Sequence, residues 1–366
     1  MKKKICWVTA SYMLQVDLPI LSTLNKSYNI DWYFWGNQDD DSGKTAKQYA
    51  EENHIPLKYI ESPNTYNPSS IPFCNTVIKK LKDKKYDLYY FNIITFPWLL
   101  FSIKKHLPSD RIAIAMHHGK IHSGMRFKTL YRPFLKYLNK QPFNLQYFSK
   151  NQAEAFNGKD LNKKFLIPLA LNNFGEANQT VTSDKVIFTV FGNIIETKNI
   201  PLLIEAGNQL WKRFNGKFRI RIIGRGKYWQ TCTPLIRHQE AFELDIRRVD
   251  DTEIPDIFAS SHYIVFPYKA VTQSGPLRIA YGYNVPVITS NLEGFKESVE
   301  ENITGLMFQS ENVESLINVM SNAISNHPQL YKSIKKTQSE YIKHYYSNTS
   351  VSKKYSEMID QILSVK

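Results

Sequence analysis

The chain has 366 residues and a formal net charge of +14, with 42% hydrophobic, 13% aromatic and 22% charged side chains. That profile excludes an intrinsically disordered protein, and the length favours two domains of ordinary size over a single core. Residues 1–175 hold 25 Lys and Arg against 13 Asp and Glu, leaving +12, whereas residues 176–366 hold 22 against 20, leaving +2. The first half must therefore face something anionic or tolerate its own repulsion.

Taken in chain order, the start is Lys2-Lys3-Lys4, similar to the basic end of a secretory signal, but Thr9, Ser11 and Tyr12 break the apolar run behind it. The longest apolar stretch, residues 96–103, is too short to span a bilayer. Cys6, Cys74 and Cys232 are few, distant and odd in number, so neither a disulfide framework nor a zinc cluster follows. A cytoplasmic protein in a reducing compartment is the expectation.

Short β-rich runs then alternate with helix-period segments. Strands are predicted over residues 4–10, 30–35, 86–92, 111–116 and 145–148, and again over 185–191, 218–223, 262–266 and 285–289. Helical periodicity lies between and after them, for example over 200–213, 313–324 and 351–363. Buried strands alternating with helices predict an α/β chain of two Rossmann-like, doubly wound parallel sheets. The polar stretch from Asn172 to Ser183 interrupts the rhythm. The expected division is residues 1–172, a linker over 173–183, a second domain over 184–345, and a final helix over 346–366 free to pack back on the first. A cleft lined by the carboxyl ends of both sheets is expected to take the ligand.

Motifs at strand ends carry the candidate chemistry. In Gln273-Ser274-Gly275-Pro276, Ser274 can cap a helix, Pro276 is tolerated in its first turn, and Gly275 lets a ligand approach the free amides. That is either an anion site suited to a diphosphate or an ordinary capped helix start. Phe191-Gly192-Asn193 leads to Lys198, an ammonium for the same phosphates or a solvated surface lysine. Gly224-Arg225-Gly226-Lys227 alternates glycine with cations at the next strand end, where a basic turn is the plain alternative.

In the first half, His117, His118 and His122 follow a strand, which suits hydrogen bonding to sugar hydroxyls or acid–base work. Their spacing matches no standard zinc motif, and loop histidines bonded to backbone are the bland alternative. Asp39-Asp40-Asp41 reads as a solvated turn. Arg126, Arg132, Lys136 and Lys140, interleaved with aromatic and aliphatic residues, read as a basic amphipathic helix for a membrane surface. Nucleic acid is disfavoured because no recognition motif accompanies the charge.

Taken together, the motifs resemble the GT-B glycosyltransferases of the retaining family 4 type. Residues 254–268, ending in Pro267-Tyr268, are similar to that family's helix-to-strand stretch. Residues 283–290 resemble its Gly-x-Pro-Val strand, and 297–306 its Glu-x-Val…Gly-Leu tail. The resemblance puts Lys198 at the family's lysine and Asn193 at its usual arginine, with Arg225 offered as the missing charge. It places Val271 and Ile279 where the Glu-x7-Glu signature stands, as in a subgroup carrying Thr/Ser-Gln-Ser-Gly there.

What the resemblance implies is a sugar transferred from a nucleotide-diphosphate donor to a hydroxyl of a saccharide or lipid-linked acceptor, with retention and without metal or other cofactor. His117 is the expected catalytic residue. Asn193, Lys198, Arg225, Lys227, Gln273, Ser274, Gly275 and Pro276 would hold the donor, with Ser11, His118 and His122 on the acceptor side. Bacterial surface polysaccharide or glycolipid synthesis, peripheral on the inner face of the cell membrane, is the expected setting. A nucleotide-sugar epimerase and a non-catalytic sugar- or lipid-binding scaffold are the rival readings.

Overall fold

A computed structural model describes residues 2–63, 67–93, 97–117, 133, 135–138, 140–155, 163–271 and 274–364. The chain divides into two compact units, Met1–Ala170 with Asn348–Lys366, and Leu171–Ser347.

The first unit is built on a seven-stranded sheet of β1 (Lys4–Ala10), β2 (Asn29–Trp35), β3 (Leu57–Ile60), β4 (Leu88–Asn92), β5 (Ile112–Met116), β6 (Asn144–Tyr147) and β7 (Lys163–Leu166). The order is β3-β2-β1-β4-β5-β6-β7, with every pairing parallel. Helices α1 (Leu14–Ser27), α2 (Asp41–Glu52), α3 (Ser70–Asp83), α4 (Pro97–His106) and α5 (Lys150–Ala155) lie between strands in sequence. Alternation along β1 sorts its side chains onto two faces. Cys6, Val8 and Ala10 join a core with Cys74 and Ile78 of α3 and Leu99 and Ile103 of α4. Ile5 and Trp7 join another with Leu21 and Leu24 of α1. The three consecutive aspartates are an ordinary helix start, since the Asp40 carboxylate accepts the Gly43 amide at 2.6 Å.

The second unit repeats the plan on six parallel strands, β8 (Val186–Phe191), β9 (Phe218–Ile223), β10 (Phe242–Asp245), β11 (Tyr263–Phe266), β12 (Val287–Ser290) and β13 (Gly305–Phe308), in the order β10-β9-β8-β11-β12-β13. Its helices are α6 (Ile200–Phe214), α7 (Trp229–Cys232), α8 (Ile254–Ala259), α9 (Gly275–Gly282), α10 (Glu293–Lys296), α11 (Val313–Ser325) and α12 (Gln329–Tyr345). Residues 173–183 carry no helix or strand and are fastened to this unit. The Phe174 amide donates to the Tyr283 hydroxyl at 3.0 Å, and the amides of Asn178 and Gln179 donate to Asp256 at 2.6 and 3.0 Å.

The chain ends in α13 (Asn348–Ser364), which belongs to the first unit. Its Val351, Tyr355, Ile359 and Ile362 complete the core beside α1, and the Tyr28 hydroxyl donates to Asp360 at 2.9 Å. No helix among the described residues is long and apolar enough to cross a membrane.

Both strand orders reverse once, between β1 and β4 in the first sheet and between β8 and β11 in the second. At such a point the flanking connections diverge and leave a crevice at the carboxyl ends of the strands. Each unit thus has one place where its fold prepares a ligand site.

Candidate functional site

In the second unit, the segments leaving β8 and β11 carry Lys198 and Ser274. Lys198 closes a 3-10 turn, Glu196–Lys198, and is only 9% exposed. Its Nζ donates to the Phe191 carbonyl at 2.9 Å and lies 5.7 Å from the centre of the Tyr268 ring. No carboxylate pairs with it among the described residues. Burial alone lowers its pKa from 10.5 to about 8. A buried ammonium served by one carbonyl is short of counter-charge, and an anion would meet that need. The turn is pinned from the β11 side: the Lys269 amide donates to the Thr197 carbonyl at 2.9 Å, and Lys269 pairs with Glu196 at 2.6 Å.

Ser274 caps α9, its hydroxyl accepting the Leu277 amide at 3.3 Å, with Gly275 exposed at the helix start and Pro276 next. The first-turn amides of such a helix point outward and its positive end favours an anion. Tyr268, which follows β11 and is 6% exposed, lies beside the first of these features, its ring centre 5.7 Å from Lys198 Nζ. Burial lifts its pKa well above the ordinary phenol value, so it remains a neutral donor or acceptor. Tyr268 was not singled out by sequence, although the Pro-Tyr ending of its strand marked the position.

Two glycines let the loops close. Gly192 has φ +98°, and a Cβ there would come within 3.0 Å of Lys198 Nζ. Gly224 has φ +142°, and its Cβ would sit 2.0 Å from the Gly192 carbonyl oxygen. The Gly192 amide bonds the Ile223 carbonyl at 2.9 Å and the Ile194 amide the Arg225 carbonyl at 2.7 Å, so these loops run on as a short ladder. That ladder brings Asn193 and Arg225 to one rim, both exposed. Lys227, also exposed, opens the next helical turn. Gln273 lies outside the described residues. Val271 is half-buried, and Ile279 is packed in the core against the strands, so neither position offers a carboxylate.

In the first unit the reversal point is polar and buried. Asn92 ends β4, and His117 follows β5, the adjacent strand. His117 Nε2 and Asn92 Oδ1 are 2.9 Å apart, and the imidazole rests on Phe148 with ring centres 4.5 Å apart. Behind them Asp17, in the first turn of α1, is wholly buried. Its carboxyl accepts Trp7 Nε1 at 2.9 Å, Thr9 Oγ1 at 2.5 Å and Asn92 Nδ2 at 2.8 Å. Burial drives the Asp17 pKa up to about 7, opposed by the hydrogen bonds from Thr9, Trp7 and Asn92. Ser11 sits half-buried in the turn after β1. His118, His122, Arg126 and Arg132 lie outside the described residues. Asp17 and Asn92 carried no motif that pointed to them.

Solved structures share this architecture. A glycosyltransferase from Rickettsia africae ESF-5 superposes with a TM-score of 0.80 over 100% of both chains at 17% identity. The fold is GT-B. Sucrose-phosphate synthase from Thermosynechococcus elongatus gives 0.77 over 100% of both chains at 13% identity. Anabaena HepE, in complex with UDP and glucose, gives 0.69 over 98% of this chain and 99% of its own at 16% identity. Such identities establish likeness of fold. Residues 185–326, which include Lys198 and Ser274, match the family described as Glycosyl transferases group 1. No curated protein matches the sequence significantly.

Proposed function

We propose that the chain is a glycosyltransferase that moves a sugar from a nucleotide-diphosphate donor to a hydroxyl of a saccharide or lipid-linked acceptor. The observation that carries this reading is Lys198, a buried ammonium with no carboxylate paired to it among the described residues, near a capped helix start at the reversal point of the second sheet. The group 1 match covers these same residues. In this reading the diphosphate lies on the amides at Ser274–Gly275, with Lys198 and Arg225 stabilising the leaving group. Those charges do the work that a divalent metal does elsewhere, so transfer is assigned without metal. His117 is assigned to the transferred sugar and the first unit to the acceptor. Retention, by front-face attack without a dedicated nucleophile, is assigned from the family resemblance.

HepE is bound to UDP and glucose in its structure, which makes UDP-glucose the first donor to test. A thermal-shift screen with UDP-, GDP- and ADP-glucose should raise the melting temperature with at least one donor, since a ligand of the folded state stabilises it. No shift with any of them would remove the donor site. Binding without transfer or hydrolysis would instead leave a non-catalytic scaffold.

The basic first unit is assigned to an anionic membrane surface, in glycolipid or surface polysaccharide synthesis. Exposed Ile71 and Phe101 stand on α3 and α4, which also expose Lys79, Lys80, Lys82, Lys104 and Lys105. Co-sedimentation with phosphatidylglycerol vesicles should fall steeply with salt, and equal binding to neutral vesicles would refute the attachment.

A further inference from the structure

The strand β9 has two unlike faces. On one, Phe218, Ile220 and Ile222 join the core with Leu203 and Ile204 of α6, as helix-covered parallel sheets require. The other face changes along the strand. At its carboxyl end Ile223 packs with Ile257 and Phe258 of α8. Nearer the amino end that same face carries Arg219 and Arg221, two positions apart and in register with Ile187 and Thr189 of β8. The two arginines line an open cavity of about 530 Å³, which residues 179–183 also line. Asp256 fastens the start of that segment through the amides of Asn178 and Gln179.

Charge in the cavity is unbalanced. Lys185, just before β8, joins the two arginines, and the one carboxylate among the lining residues is Glu243 of the edge strand β10. Three cations against one anion leave an excess of +2. Arg221 is engaged: its guanidinium lies 3.3 Å from Glu243 and donates to the Ser260 hydroxyl at 2.9 Å. The side chains of Arg219 and Lys185, both half-buried, have no partner among the described residues. An arginine stem can cover apolar surface while its head reaches water, which would account for one of these residues. It does not account for three cations around one cavity, where like charges repel.

We propose that this cavity is a second anion site, separate from the one at Lys198, and that it takes the phosphate group of a small hydroxylated phosphate monoester. The excess of +2 matches such a group, which carries about −1.5 to −2 near pH 7. Guanidinium forks fit phosphate oxygens two at a time, and strand rise sets Arg219 and Arg221 only about 6.6 Å apart, so both can converge on one phosphate. The volume falls in the ~300–1,000 Å³ range of small-molecule sites and leaves room beyond the phosphate, where Thr180 and Thr182 supply hydroxyls. Lys185 precedes β8 and Arg219 opens β9, whereas Lys198 and Arg225 follow the carboxyl ends of the same two strands. The two anion sites therefore stand at opposite ends of the sheet, and a ligand of one does not compete with a ligand of the other. Nothing in this inference rests on the transfer reading.

The test is isothermal titration of the full chain with inorganic phosphate, glucose 6-phosphate and glucose. Both phosphates should bind and glucose should not. Arg219→Gln should weaken glucose 6-phosphate roughly ten- to a hundredfold, the loss expected for a charge-assisted contact, with an unchanged melting temperature because no partner is given up. Lys185→Met, outside the strand, should weaken it similarly, and gives the answer should Arg219→Gln fail to fold. Glu243→Gln should tighten it about two- to fivefold by removing the competing carboxylate. Lys198→Met should leave it unchanged. Absence of phosphate binding at millimolar concentration overturns the proposal, as does glucose binding as tightly as its phosphate. So does full affinity in Arg219→Gln or Lys185→Met, a Glu243→Gln variant that binds no more tightly, or a loss in Lys198→Met, which would place the anion at the other end of the sheet.

Discussion

Replacing Lys198 by methionine is expected to weaken UDP binding by roughly ten- to a hundredfold, equivalent to ~1.5–3 kcal/mol for a charge-assisted hydrogen bond lost from a buried site. The same substitution should stabilise the empty protein. The Lys198 pKa is lowered from 10.5 to about 8 by burial, so holding the charged form inside costs on the order of 3 kcal/mol at pH 7. Methionine fills the space without the charge. Opposite signs for stability and for binding separate a ligand-directed cation from one that is structural, since removal of a structural ion-pair member would lower both. Isothermal titration with UDP, beside urea unfolding of the empty protein, gives the two numbers. A variant that binds UDP as tightly as its parent would remove Lys198 from the site.

The pH dependence follows from the same shift. Between about 8 and 10.5 the unfolded chain holds a proton on Lys198 that the folded chain has released. Stability from this group is therefore fully present above 10.5 and is lost as pH falls to about 8. UDP affinity runs the other way. It should be level below pH 8 and fall by up to about tenfold per unit above it, because the anion needs the protonated lysine. Methionine at position 198 should flatten both profiles.

Where sequence reading stopped has a physical pattern. The strands it found, β1, β2, β4, β5 and β6 in one sheet and β8, β9, β11 and β12 in the other, are interior to their sheets. Buried on both faces, they read as near-continuous apolar runs. The four it passed over, β3, β7, β10 and β13, are the four sheet edges, each of four residues. Lys163-Lys164 in β7 and Glu243 in β10 face solvent there, so the hydrophobic signal is diluted. Lys198 was legible as a cation after a strand, but its burial was not, because that depends on Tyr268, some seventy positions later in the chain. Asp17 is the clearest loss. It accepts from Asn92, 75 positions away, and Asn92 in turn meets His117 a further 25 on, whereas an acidic residue opening a helix looks like an ordinary helix start.

Gly224→Ala should be the most destabilising small substitution in the second unit, at about 2–4 kcal/mol. Two costs add. At φ +142° a side chain is strained in any surroundings, and the new Cβ would lie 2.0 Å from the Gly192 carbonyl oxygen and 2.7 Å from its carbon. Both obstacles are backbone, so no rotamer change relieves them. Relief requires parting the ladder formed by the Gly192 amide with Ile223 and the Ile194 amide with Arg225. That ladder also fixes Phe191, whose carbonyl holds Lys198, so the damage should reach the anion site and lower UDP affinity along with stability. Gly216→Ala is the control. Gly216 has φ +75° with nothing within 4 Å of its would-be Cβ, and should lose only the strain, about 1 kcal/mol. For a unit of this size the difference corresponds to roughly 3–10 °C in melting temperature. Equal melting temperatures for the two variants would mean that the approach of the two loops is not what Gly224 is there to allow.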